Sequence, residues 1–577
     1  MKKLALVWLP FNDPSMPPLG VADLVGHLRT AGFQVDPFDL NIDIFNNIQS
    51  FFSSSSKNEK SIYQDWSYNS INQNMAASLA FSEFIPEPPH SKPVDLSILS
   101  ILKNCFYTFA ETTLKKYDII GISVTNVSLL SAIALSKIVK EIATHIKIIW
   151  GGPSVNYANS FEQLDQLSCV DLFVEGAGEI ILEEILKHPS GESKFTNRWI
   201  RQDIALDCKN DTYGIFSDFS SFPLKKYYNL SFPVQTASGC QWSRCSFCVE
   251  PYITKKFFPK PVDAVKKQIR QLHNKYLATS LYFIDNSLNS STKRLLEICR
   301  SFPKDVVISW TCMARSDKLN SRLLKAMKNA GCRKVFIGLE SLSNRTLKAM
   351  EKGCTVLDHL RAFRLSQEIN IPLQGNFMIG FPTETDEDIL ESIAIIKRYT
   401  HLWKNCSFGI SPFIVTPGSK IFNSPEKYNI NVHDTGSEAD NLPNQIKNLI
   451  PAWSHHWSLV NCKETSILKR CRLNHELITL VHFIQTCDLP CKYYTEDKNG
   501  IYIYSETDNR ENLIKVHLKN LEANIIRYCR NVITIKKLLL LLKIEYALLL
   551  QKIVNFEKKG WLVMHDDKIV LTIPLLQ

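Results

Sequence analysis

At 577 residues and 45% hydrophobic content, the chain is long enough for about three domains with real cores. Its 16 cysteines are mostly isolated, which excludes a dense secreted disulfide scaffold and suits a reducing, cytoplasmic setting. The net charge of +10 is dispersed rather than gathered in a patch, so a solvated surface is the better reading than a nucleic-acid-binding one.

The opening Met1-Lys-Lys and the apolar run 4–9 mimic a signal peptide. The run stops at Pro10 with no small-residue cleavage site, so a first strand is expected. Pro17-Pro-Leu-Gly20 leads into a helical pattern over 21–31, Gly32 stops it, and 33–40 reads as a second strand. Residues 45–115 break the pattern with Ser53 to Ser56, many Asn, and Pro86, Pro88 and Pro89, and read as an insertion with weak helices and a mobile loop. Strand 119–124, helix 129–143, strand 146–150, the Gly151-Gly-Pro153 turn, strand 172–174, the turn 175–178 and a helix from Glu179 come next. Such alternation predicts a Rossmann-like, doubly wound parallel α/β domain over 1–205. Ligands of these sheets lie beyond the carboxyl ends of the strands. The candidate contacts are therefore 12–19, Ser123, Asn126, Gly151, Gly152, Pro153, Glu175, Gly176 and Gly178. Taken alone, Gly151-Gly152 reads equally well as a structural turn.

The middle of the chain holds Ser238-Gly-Cys-Gln-Trp-Ser-Arg-Cys-Ser-Phe-Cys248. Three thiolates this close can hold three irons of a four-iron cluster and leave the fourth open to a small molecule. A zinc site would want a further Cys or His, and 249–260 supply neither. Three unrelated core thiols are the bland alternative, a fair reading for scattered cysteines and a poor one here. Around this loop six strand-helix units are expected, with strands near 234–237, 280–284, 307–313, 335–339, 373–379 and 408–415. That pattern predicts a partial (β/α)6 barrel over 206–430. Chemistry in such barrels gathers where strands end. The strand ends carry Cys240, Asp285 and Asn286, Arg315 and Ser316, Glu340 and Ser341, Gly380, Pro382 and Glu384, and Thr416 to Ser419. Cys312 and Cys332 read as core thiols.

Residues 431–577 form a third, mainly helical region. Trp453-Ser-His-His-Trp457 offers two adjacent imidazoles, but neighbouring side chains on a helix point apart. Cys487 and Cys491 lack a third partner for a second cluster. The leucine-rich stretch 538–550 carries Lys543 and Glu545, and reads as a core helix rather than a membrane span. The end reads helix 521–528, helix 535–542, helix 546–557, Gly560, then a hairpin turning at Asp566-Asp567. That order resembles a winged helix. Only Lys536 and Lys537 stand near the start of its second helix, which favours protein or peptide docking over DNA.

The cysteine loop and strand-end residues resemble those of the radical S-adenosylmethionine (radical SAM) enzymes, with a Cx4Cx2C spacing in place of the usual Cx3Cx2C. Some members with a widened first interval modify peptides. Pro17-Pro-Leu-Gly20, Asp118-Ile-Ile-Gly-Ile-Ser123, Gly151-Gly-Pro153 and Val174-Glu-Gly-Ala-Gly-Glu179 are similar to the cobalamin-binding domain that precedes many such barrels. The resemblance implies a [4Fe-4S] cluster on Cys240, Cys245 and Cys248. It implies S-adenosylmethionine touched by Gly338-Leu-Glu340-Ser341 and by Met378-Ile-Gly380-Phe-Pro-Thr-Glu384, with Phe247 near the adenine. Arg315 would pair with the carboxylate, and Asp285 would accept from the α-ammonium. The Asp-x-His-x-x-Gly signature is absent and His27 lies inside the first helix; if cobalamin binds, the resemblance implies a base-off form with no protein histidine on cobalt. In some members this domain holds no cobalamin.

The function implied by the resemblance is reductive cleavage of S-adenosylmethionine to a 5′-deoxyadenosyl radical. Methyl transfer through cobalamin to an unactivated carbon of a peptide or small natural product would complete it. An electron donor such as flavodoxin or ferredoxin is implied, and no membrane partner. The alternatives are a non-methylating rearrangement or cyclisation on the same architecture, and a non-enzymatic cluster redox sensor. A methylthiotransferase would need three more cluster cysteines, and Cys105, Cys169 and Cys208 are widely spread.

Overall fold

Strands that are apolar along their whole length need cover on both faces. The computed structural model of the chain supplies that cover twice. It describes residues 2–53, 96–156, 164–188, 197–201, 217–254, 256–303, 307–433, 457–460, 464–486, 489, 491–506 and 513–576. Strands β1 (Leu4–Trp8), β2 (Val35–Asp39), β3 (Ile119–Ser123), β4 (Lys147–Gly151), β5 (Leu172–Glu175) and β6 (Trp199–Arg201) form one sheet in the order β2-β1-β3-β4-β5-β6. Every pairing in it is parallel. Successive side chains point to opposite faces. Leu4 and Leu6 accordingly join one core with Val25 and Leu28, while Ala5 and Val7 join another with Phe106 and Ile133.

The break expected at 45–115 is partly structured core. Helices Leu40–Ser53 and Leu96–Thr112 flank it. They bury Phe45, Ile48, Leu102 and Phe106 against the sheet. Residues 54–95, where the loop was expected, lie outside the described residues. The edge strand β6 was not foreseen.

The second sheet holds β7 (Phe232–Val234), β10 (Ser280–Phe283), β11 (Ser309–Ala314), β12 (Cys332–Glu340), β13 (Leu373–Ile379) and β14 (Ser407–Pro412). They pair in that order, all parallel, as an open six-stranded sheet. A small antiparallel pair, β8 (Ala237–Ser238) and β9 (Phe258–Pro259), stands at the mouth beside β7. The intervening helices start on local signals. Thr355 and Asp358 form a capping box before Val356–Ile369, and Thr385 and Asp388 another before Asp386–Arg398.

Beyond the barrel, β15 (Ile430–Val432) pairs antiparallel with β16 (Trp457–Leu459). Helix Glu464–Thr486 sends Leu477, Val481 and Ile484 into the barrel core. The last region also holds strands that the sequence did not indicate. An antiparallel meander, β17 (Lys492–Asp497), β18 (Gly500–Glu506) and β19 (Leu513–Leu518), precedes helix Asn520–Tyr528. Strand β20 (Ile533–Thr534), helices Ile535–Leu542 and Tyr546–Lys558, and the hairpin β21 (Leu562–His565) and β22 (Lys568–Leu571) complete it. The three helices and the hairpin lie where the sequence placed them. His455 and His456 lie outside the described residues, as do Cys208 and Cys487. No helix among the described residues is long and apolar enough to cross a membrane.

Candidate active site

The cysteine loop leaves the barrel mouth after β8. Gly239 turns it at φ +78°, where a Cβ would lie 2.4 Å from the Lys256 carbonyl oxygen, so glycine fits there best. Cys240, Cys245 and Cys248 are free thiols, each half-buried. The loop is fastened from two directions. The Ser246 N–H donates to the Met350 carbonyl at 2.9 Å, and the Ile421 N–H donates to the Ser246 carbonyl at 3.1 Å. Lys420 Nζ donates to the Arg244 carbonyl at 2.8 Å and pairs with Glu351 at 2.7 Å.

The donor set fits an iron–sulfur cluster. Burial pushes the Cys245 thiol up, while Lys352 and Arg315 pull the other way; the charges of Glu340 and Cys240 add to the rise. Burial also pushes Cys248 up to about 11, with Cys245 and Cys240 contributing, so the three thiols lie within electrostatic reach of one another. Among the described residues no three His, Cys, Asp or Glu side chains close on a site for a single ion. Three thiols on one loop with two cations beside them suit a broader anionic group held by thiolates.

The strand ends converge on this loop with unequal roles. Arg315, after β11, has its guanidinium 4.6 Å from the centroid of the Trp242 ring and its Nε 3.0 Å from Asp317 Oδ1. Its Nη2 is buried with no hydrogen-bond partner among the described residues, a donor suited to a carboxylate. Asn289 fixes its backbone through two 2.8 Å bonds. Glu340, the last residue of β12, sits at φ +61° beside a register shift between Gly338 and Glu340. It accepts from Lys352 Nζ at 2.8 Å, and each side chain is 13% exposed. A Cβ on Gly338 would lie 2.4 Å from Glu340 Oε1 and 2.6 Å from Lys352 Nζ, so a side chain there would displace the pair. Lys352 Nζ also stands 5.9 Å from the Phe247 ring centroid.

Asp285 has a different setting from the one expected of an ammonium acceptor. Its carboxylate receives the Thr236 N–H at 3.0 Å and the Thr236 hydroxyl at 2.7 Å. Arg294 binds the same threonine and the Lys260 carbonyl. The carboxylate therefore props the turn that launches the cysteine loop. Ser341 is buried and accepts from the Ser343 N–H at 3.1 Å, which makes it part of a turn. Gly380 has φ +77° with open space where a Cβ would stand, and its N–H donates to Glu384 at 3.2 Å. Burial pushes Glu384 up to about 7.

At the strand ends of the first sheet lies a cavity of about 250 Å³. Ser123, Gly151, Gly152, Gly176 and Gly178 line it, with Leu6, Val21, Leu24 and Leu182 as apolar walls. Gly152 at φ +94° is irreplaceable on steric grounds, since a Cβ would lie 2.9 Å from both Val124 N and Val124 O. The other candidates stand outside the lining. Glu175 pairs with Arg201 at 2.6 Å, and Asn126 and Pro153 begin short helical turns beside the strand ends. Among the described residues no histidine lines the cavity; His27 is buried in its helix and bonded to Glu183 at 2.7 Å. A glycine-floored, apolar-walled cavity fits the edge of a large cofactor, and it offers no imidazole to a metal.

Sequence reasoning missed Trp242, Lys352, Gly353 and Asn289. Lys352-Gly353 comes after β12 by a full helix, so only the fold brings it to the cysteine loop. Trp242 lies inside the widened cysteine interval, which was the available signal.

Residues 234–396 match the Radical SAM superfamily. An uncharacterized methyltransferase of Pyrococcus horikoshii is 28% identical over 302 residues, 49% of this chain and 65% of that one. Among solved structures, the cobalamin-dependent S-adenosylmethionine radical enzyme OxsB, with aqua-cobalamin and S-adenosylmethionine bound, aligns with TM-score 0.57 and 16% identity, covering 83% of this chain and 66% of that one. The radical S-adenosylmethionine methyltransferase TsrM of Kitasatospora setae, with cobalamin and a [4Fe-4S] cluster bound, aligns with TM-score 0.53 and 15% identity, covering 82% and 91%. The chain spans just under two thirds of the Pyrococcus relative. Likeness at this identity speaks for the fold.

Proposed function

We propose that this chain, whose residues 234–396 match the Radical SAM superfamily, is a cobalamin-dependent radical methyltransferase acting on an unactivated carbon of a peptide or natural product. The observation that carries this reading is the pairing of two strand-end sites in one chain. One is the three-cysteine loop with Arg315 and Lys352. The other is the glycine-floored cavity of the first sheet. A bound four-iron cluster would supply the electron that cleaves S-adenosylmethionine and cobalamin would carry the methyl group, chemistry that belongs to the cofactors.

The residues position and shield. Cys240, Cys245 and Cys248 would hold a four-iron cluster and leave one iron open to S-adenosylmethionine. The free Arg315 Nη2 binds the carboxylate of that ligand. The open face of Gly380 would admit the adenine edge against main chain, with Phe247 beside Lys352 on the cysteine loop's side. The cavity lined by Gly152 and Gly176 would receive an edge of cobalamin, and its described lining would offer the cofactor no imidazole. A flavodoxin or ferredoxin would deliver the electron in a reducing cytoplasm.

The test is anaerobic incubation of the reconstituted protein with S-adenosylmethionine, a reductant and hydroxocobalamin, read by mass spectrometry. The reading expects 5′-deoxyadenosine and, with a substrate, a product heavier by one methyl group. 5′-deoxyadenosine with a product of unchanged or hydrogen-depleted mass would favour a rearrangement or cyclisation. A cluster that yields no 5′-deoxyadenosine would favour a redox sensor.

A further inference from the structure

The cysteine loop carries one residue more than the usual first interval, and the extra length needs an anchor. Trp242 supplies one. Its Nε1–H donates to the Glu351 carbonyl at 2.9 Å. Its ring fills the space that a side chain on Gly353 would occupy: a Cβ there would lie 2.0 Å from the ring. Gly353 is at φ +71°, so glycine serves both the backbone and the ring. The guanidinium of Arg315 lies 4.6 Å from the ring centroid and that of Arg244 5.3 Å, so one indole engages two cations. Ser243, next in the loop, takes φ +46°, and its hydroxyl donates to the Cys240 carbonyl.

These contacts tie three separate pieces together. The cysteine loop is one. The segment 351–353, which carries Lys352 and hence the partner of Glu340, is the second. Arg315, whose Nη2 has no partner among the described residues, is the third. We propose that Trp242 is a positioning residue that pins the widened cysteine loop to Glu351 and Gly353 and orients the Arg315 guanidinium toward the carboxylate of S-adenosylmethionine. A planar ring against a guanidinium restricts its swing while leaving its N–H groups free to bind. This inference rests on the reading of Cys240, Cys245 and Cys248 as cluster ligands.

The experiment uses the full chain, reconstituted anaerobically, as wild type, W242F, W242A and G353A. Four quantities are read: iron content, the electron paramagnetic resonance spectrum of the reduced cluster with and without S-adenosylmethionine, KM and kcat for 5′-deoxyadenosine formation, and the melting temperature of the cluster-free chain. The proposal expects W242A to keep its iron, to lose the spectral change on adding S-adenosylmethionine, and to raise KM roughly tenfold or more with a smaller change in kcat. W242F, which keeps a ring under Arg315, restores most of the KM. G353A, which displaces the indole without touching it chemically, behaves like W242A. Wild-type KM and spectral change in both W242A and G353A would overturn the proposal. So would a W242F as defective in KM as W242A. Should W242A hold no iron, W242F and G353A decide on the same readouts. A wild type that binds no iron or makes no 5′-deoxyadenosine would sink the reading of the loop itself, a result separable from any difference among the variants.

Discussion

Lys352 and Glu340 are nearly buried, and each is the other's main compensation. Removing one partner of such a pair leaves an unpaired charge in a poor solvent for it. Lys352→Met should therefore destabilise the chain by about 3 kcal/mol, measured by urea unfolding, while Lys352→Met combined with Glu340→Gln recovers most of the loss. A single variant within experimental error of wild type would contradict the buried-pair account. Glu384 carries a different signature. Burial raises its folded-state pKa from 4.5 to about 7, so between those values the folded chain holds a proton that the unfolded chain releases. The stability this provides is complete below about pH 4.5 and is lost as pH rises through about 7. Glu384→Gln should flatten that part of the pH profile of unfolding. Equal slopes in variant and wild type would show that Glu384 titrates normally.

At the scale of single elements, the glycines at strand ends constrain most. Gly152→Ala puts a Cβ 2.9 Å from Val124 main chain at φ +94°. The expected cost is about 1–3 kcal/mol and a collapse of cobalamin retention, measured by gel filtration after loading; full retention at wild-type stability would contradict the cavity's role. Elements with strong local patterns were legible. Strand β13 lies at Leu373–Ile379 as expected, because Leu373, Gly375 and Phe377 alternate inward. Helix Ile535–Leu542 also lies where its pattern placed it. Strand β6 spans only Trp199–Arg201, too short for any periodicity. The meander β17–β19 was missed although Asn499-Gly500 is a hairpin dipeptide, because Tyr493, Tyr502 and Tyr504 mix with charged residues and blur the alternation. In the site, the cysteines were legible as a motif. The Asp285–Thr236 contact and the Trp242–Gly353 contact were not, since each joins residues far apart in sequence.

Across the whole molecule, the segment between the two sheets acts as a clamp. Asp218 binds Arg29 of the first domain at 2.9 Å, and Lys275 at 3.0 Å and Tyr276 at 2.9 Å of the barrel. Burial opposes its ionisation, but hydrogen bonds from Ser220, Lys275 and Arg29 outweigh that and hold its carboxyl well below the usual range. Its contribution is present above about pH 4 and is lost as pH falls through that lowered pKa. Asp218→Asn should cost about 1 kcal/mol at pH 7 in urea unfolding, and progressively less as pH falls below about 4 toward that lowered pKa; a cost unchanged with pH would contradict the clamp. At its far end the barrel is held too, with the Tyr399 hydroxyl on the Leu562 carbonyl at 3.2 Å and Arg364 on the Arg530 carbonyl at 2.6 Å. Val563 and Val570 enter the barrel core itself. The first and second sheets thus present their strand-end sites within one fastened body, and the central claim is that these sites take two cofactors together. Anaerobically reconstituted wild type and Cys245→Ala should be offered hydroxocobalamin, freed of excess, and read by absorption. Near-stoichiometric cobalamin with a base-off spectrum is expected in both, and a cluster band in wild type that Cys245→Ala loses. A wild-type cluster band with no retained cobalamin would contradict the claim.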